Sequence, residues 1–126
     1  IPAESGSILL AEGSQLRFTA VRGPKAAALL GESIDISKGI AGACATSGTA
    51  LLVRQARGSY QHDPTIDTTI DHLTRTLLAL PISTAGQVVG VIELLNPFGT
   101  DTFTADQQAL AKSISGHLAN RLCKAD

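Results

Sequence analysis

The sequence predicts an α+β domain, a mostly antiparallel sheet of five to six strands flanked by helices. Three observations carry that expectation. Two pairs of β-favouring runs are each joined by a short glycine-bearing turn, Glu12-Gly13-Ser14 in one case and Thr84-Ala85-Gly86 in the other. The chain closes on a capped, leucine-bearing helical pattern from Thr104 onward. Its 126 residues suit one domain with one core, burying about two-thirds of the surface of the unfolded chain.

The elements follow in order. Ser7 to Ala11 and Leu16 to Val21 form the first hairpin, with Leu16, Phe18 and Ala20 alternating against Arg17 and Thr19. Pro24 to Leu30 is a short Ala/Leu-rich helix closed by Gly31, and Ser33 to Ile36 is extended. Ser37 is placed to cap a short helix through Ile40, Ala43 and Cys44, which Gly48 ends before a strand from Ala50 to Val53. Gly39 and Gly42 on that helix imply close backbone packing. Arg54 to His62 is polar and irregular, and Asp63-Pro64 then starts a helix with Ile66, Ile70 and Leu73 on one face. Thr76 to Ser83 and Gln87 to Leu95 make the central hairpin, in which Pro81 marks a bulge or an unpaired position. In the last helix Leu110, Ile114, Leu118 and Leu122 recur at every fourth position and are expected to pack on the sheet.

Composition narrows the function. Ten basic and eleven acidic residues give a formal net charge of −1 and are mixed along the chain, so no footprint for nucleic acid or an anionic membrane is present. Cys44 and Cys123 stand far apart without a Cys-x-x-Cys pattern, which argues against a disulfide scaffold or a structural zinc site and fits a reducing cytoplasm. No apolar run reaches the roughly 18 residues of a membrane span, and no secretory signal pattern opens the chain. The start at Ile1 fits a fragment of a longer signalling protein.

The order of elements, with Ala3-Glu4-Ser5-Gly6-Ser7-Ile8-Leu9-Leu10, Gly39-Ile40-Ala41-Gly42, Gly48-Thr49-Ala50-Leu51, Val89-Gly90-Val91-Ile92-Glu93-Leu94-Leu95-Asn96 and Phe103-Thr104-Ala105-Asp106, resembles the GAF family of small-molecule sensor domains over nearly the whole chain. The resemblance implies a regulatory role rather than an enzyme, a ligand held between the sheet and the middle of the chain, and an output domain in the same polypeptide. It also implies a helix before the first strand, which this sequence does not contain. Two departures speak against a cyclic nucleotide: Asn96 is followed by Pro97 where that branch of the family has lysine, and Phe103-Thr104-Ala105-Asp106-Gln107 lacks its Asp-Glu pair.

On this reading Ile40, Cys44, Val53, Ile66, Ile70, Leu73 and Leu78 line a pocket, while Arg54, Tyr60, His62 and Thr76 orient the ligand. The alternative is that the apolar members fill a closed core. Arg54 and Arg57 have the guanidinium fork that suits an anion, although such residues are more often solvated. His62-Asp63 and Asp71-His72 offer imidazole and carboxylate together, but Asp63 is better read as a helix cap and Asp67 and Asp71 as a wet face, so no metal site is assigned. Haem has no attachment motif here. Cys44 reads as a small buried hydrophobe, and no second cysteine lies near it for a methionine sulfoxide reductase of the related type. Glu93 is the odd residue of its strand, sharing a face with Val89, Val91 and Leu95, and serves either as a hydrogen-bonded buried carboxylate or as a pocket acid that recognises a ligand donor.

Opposite the leucines of the last helix run Ala109, Ser113, Gly116, Asn120 and Cys123, a small-residue stripe that would let a partner helix approach closely, either the N-terminal helix that this sequence lacks or its copy in a second subunit of a homodimer. Two readings of function therefore stand side by side: a sensor that passes ligand binding to an output domain through its terminal helices, and a structural dimerisation module that binds nothing.

Overall fold

The computed structural model describes residues 3–23, 26–54, 76–97 and 103–124, with backbone only at Arg54 and at residues 121–124. Nine elements run in the order β1 (Ala3–Glu12), β2 (Gln15–Arg22), α1 (Ala26–Leu29), β3 (Ser33–Asp35), α2 (Gly39–Ser47), β4 (Leu51–Arg54), β5 (Thr76–Thr84), β6 (Gln87–Pro97) and α3 (Ala105–Lys124) among the described residues. The strands form one sheet in the order β3-β2-β1-β6-β5-β4, and every neighbouring pair is antiparallel. The helix expected from Asp63 lies outside the described residues.

Local chemistry explains the joints. The β5–β6 turn places both central residues at positive φ, 50° at Ala85 and 77° at Gly86, the twist that a two-residue hairpin turn needs. At the end of α2, Gly48 takes φ 70° and its N–H donates to the Cys44 carbonyl at 2.9 Å. The start of α2 differs from expectation. Lys38 occupies the N-cap position without a side-chain cap, because the Ser37 hydroxyl and amide both donate to Asp35 Oδ1, at 2.6 and 2.8 Å. A carboxylate two residues upstream has outcompeted the helix terminus for the serine. At α3 the capping box forms as read: Thr104 N donates to Gln107 Oε1 at 2.9 Å and Gln107 N to Thr104 Oγ1 at 3.1 Å.

The sheet separates two apolar layers. On one face α1 and α2 close over Leu9, Leu16, Phe18, Leu77, Ala79, Val91 and Leu95. On the other, α3 covers Leu78, Leu80, Phe103, Ile82 and Ile92. The helix reaches that layer through Ala111, Ser115 and Ala119, which are buried, and the Ser115 hydroxyl donates to the Pro81 carbonyl at 2.6 Å.

This corrects the expected packing of α3. Leu110 is 51% exposed and Ile114 41% exposed, and Leu118 is half-buried. The seated stripe lies one residue further along, about 100° around the helix. Small side chains won because they let the helix axis come down close to a sheet already crowded with leucine and isoleucine. The displaced Ile114 and Leu118 join Ile8, Val21, Ile92 and Leu94 along an apolar groove of ≈ 260 Å³ on the β1–β2 side.

Candidate functional site

The α2 face is built on three strands. β6 runs between β1 and β5, and Glu93 sits in its middle, directly opposite Ser7 on β1 and Ala79 on β5. Val91 and Leu95 flank it on the same side, and Ile40, Ala41, Cys44 and Ala45 of α2 lie in the same core. Gly42 lets the chain just before the helix fold back against it: a Cβ there would stand 2.5 Å from the Ile36 carbonyl oxygen.

Glu93 is 2% exposed. Burial pushes its carboxyl up to about 7, since the charged form loses its hydration with nothing to replace it. No hydrogen bond or ion pair engages its side chain among the described residues, whereas Thr76, Asn96 and Ser115, also buried, have partners. Its charge is felt at Cys44, whose thiol is pushed up to about 12, first by burial and then by Glu93. A thiol held protonated at neutral pH is no nucleophile.

The residues singled out in sequence divide unevenly over this site. Ile40 and Cys44 are buried on it, and Val53 packs half-buried at its edge. Leu78 does not belong: it faces α3 with Leu80 and Phe103, and its neighbours Leu77 and Ala79 point to α2 instead. Thr76, two residues earlier and on the Leu78 side of the pleat, is buried at the strand start, where its N–H donates to Asn96 Oδ1 at 3.2 Å. It closes the end of the hairpin. Arg54 pairs with Thr76 through β4, its side chain outside the description. Tyr60, His62, Ile66, Ile70 and Leu73, together with Arg57, Asp63, Asp67, Asp71 and His72, lie outside the described residues.

Val89 is a second correction. Ile82 pairs with Gly90 and Ser83 with Val88, which leaves Val89 as an extra residue in β6. Alternation restarts there, so Val88 packs toward α2, Val89 toward α3, and Val91 again toward α2. Glu93 keeps Val91 and Leu95 as face-mates but not Val89.

Sequence reasoning missed Ser7, which brings a hydroxyl-bearing residue opposite Glu93, and the role of Asn96. Asn96 has φ 56°, accepts from Thr76 and donates through Nδ2 to Glu4 Oε1 at 3.5 Å. An asparagine at a strand end is the signal for such a left-handed residue. A second cleft, ≈ 470 Å³, opens on the α3 side between the Gly48–Ala50 turn, β5 and α3, with Lys112 and Ser115 in its wall. Of the small-residue stripe, Ala109, Ser113, Gly116 and Asn120 are exposed, and the side chain of Cys123 is outside the description.

The sequence signature of the GAF domain family matches residues 1–122. The chain belongs to the GAF family. The GAF domain of a phosphoenolpyruvate-protein phosphotransferase from Coxiella burnetii superposes with TM-score 0.85 at 15% identity, over 98% of this chain and 73% of that one. A type II free methionine-R-sulfoxide reductase from Thermoplasma acidophilum gives TM-score 0.73 at 15% identity, over 94% of this chain and 77% of that one, a likeness of fold alone. In sequence, the Caenorhabditis elegans protein named "Probable 3',5'-cyclic phosphodiesterase pde-5" is 36% identical over 62 residues. That match takes in 49% of this GAF chain and 8% of the relative's length. GAF domains are in general small-molecule-sensing regulatory domains of signalling proteins. Among the described residues no helix is long and apolar enough to cross a membrane.

Proposed function

We propose that this GAF domain is a cytoplasmic regulatory module that binds a small molecule on the α2 side of its sheet and passes the change to an attached output domain. The observation that carries the reading is Glu93: a carboxyl in the middle of the central strand, closed from water and unpartnered among the described residues. A core evolved only for packing gains nothing from such a group, because an apolar side chain of similar volume avoids its desolvation. A binding wall does gain, since one polar group in an apolar surface fixes the orientation of a ligand. The protonated state of Cys44 at neutral pH supports a binding role over thiol catalysis.

For transmission we assign α3, which rests on β5 and carries its small-residue stripe outward. Ligand binding moves it only if the two arrangements differ in affinity. A thermal-shift series with a panel of small metabolites tests the reading. A true ligand at 100 times its dissociation constant adds about 2.7 kcal/mol to the stability of the folded state. No shift with any compound leaves the second reading, a dimerisation module, which draws on the exposed Leu110 and Ile114 of α3.

A further inference from the structure

We infer that the ligand of this face is a compact apolar molecule bearing a cationic nitrogen, an ammonium or amidinium group, whose N–H donors pair with the Glu93 carboxylate. The inference rests on the binding role proposed above and adds the chemistry of the occupant. It starts from geometry. Glu93 has two acceptor oxygens and, among the described residues, no protein donor on either. The residues around it on this side, Leu77, Ala79, Val91, Leu95, Ile40, Ala41 and Cys44, are apolar or neutral.

No lysine or arginine belongs to this core among the described residues, so its only formal charge is negative. An anionic ligand would meet like charge in a low-dielectric setting, where repulsion is strong. A neutral donor would leave the carboxylate with a weak partner. A cation supplies a charge-assisted hydrogen bond and compensates the buried charge in one contact, while the apolar body of the ligand meets the leucines and valines.

The pairing has a signature in pH. Without ligand the Glu93 carboxyl is pushed up to about 7, so in mildly acid solution it carries a proton. Binding of a cation must expel that proton to solvent. Affinity for a cationic ligand therefore rises as pH rises toward 7 and levels off above it. The groups facing Glu93 do not blur this: β1 presents Ser7, β5 presents Ala79, and the Cys44 thiol from α2, pushed up to about 12, stays neutral throughout. His117 and Lys112 are on α3, across the sheet.

The test is a ligand-observed NMR screen of the 126-residue chain against a fragment library divided into size-matched cationic, neutral and anionic sets, beginning with benzylamine, benzamidine, benzyl alcohol and benzoate. We expect the hits to be mainly cationic, to tighten from pH 5.5 to 7.5, and to weaken at least about tenfold in Glu93→Gln. Hits that are mainly neutral or anionic, or cationic hits whose affinity is the same at both pH values, overturn the inference and leave the binding role standing. An absence of hits in every set removes the binding role and the inference together. Because the pH series is read on the parent chain, the outcome does not depend on how the variant folds.

Discussion

The two faces of the sheet solve the same packing problem with opposite means. Toward α2 the strands present mainly large side chains and one carboxyl, and the helix meets them with Ile40 and the small Ala41, Cys44 and Ala45. Toward α3 the strands present mainly leucine and isoleucine, joined by Phe103 from just before the helix, and the helix answers with alanine and serine. In both layers a small-residue helix lies on a bulky sheet, but among the described residues only one layer encloses a titratable group without a partner. A layer built for cohesion satisfies its polar atoms, as Ser115 does with the Pro81 carbonyl. A layer that leaves one unsatisfied is placed for something else.

The largest effect that would break this contrast lies in Glu93. Its folded-state carboxyl is pushed up to about 7 from an ordinary 4.5, so the stability linked to it is full below the unfolded value and is lost as pH rises through the folded one. Between pH 4.5 and 8 the parent should lose on the order of 3 kcal/mol through this group, and Glu93→Gln should not. Urea titrations of both chains at several pH values measure the difference, and parallel curves would show that the carboxyl is already compensated. The next effect is on the other face. Ser115→Ala removes the donor to the Pro81 carbonyl and should cost about 1 kcal/mol at any pH, by the same titration. The smallest is Leu110→Gln, which should change stability by no more than about 0.5 kcal/mol because that leucine is outside the seated stripe. A loss of several kcal/mol there would return the leucines of α3 to the core.

What the sequence made legible follows the strength of its local signals. The capping box at Thr104 and Gln107, the left-handed end of α2 at Gly48 and both hairpins are chemistry of a few adjacent residues, and each formed where it was read. The oddness of Glu93 was likewise visible, since a carboxylate amid valine and leucine stands out in any strand. The inward set of β5 was not. Thr76 to Leu80 are all buried, so alternation carries no contrast there and nothing in the sequence tells the α3 side of Leu78 from the α2 side of Leu77. The face of α3 was hidden for a related reason: hydrophobicity alone favours the leucine stripe, whereas a crowded sheet favours the narrower one beside it. Ser37 is illegible for another reason: a helix end and a carboxylate compete for one hydroxyl, and only the fold decides between them.

The extra residue Val89 has a consequence for how this domain tolerates change. Every position after it in β6 owes its orientation to that single interruption of the ladder, Glu93 included. Removing one residue between Gln87 and Gly90 would erase the interruption and let the strand regain its pairing with no lost hydrogen bonds. Adding one elsewhere in the same stretch would shift the count the other way. A one-residue deletion in that short stretch should therefore cost less stability than a one-residue insertion.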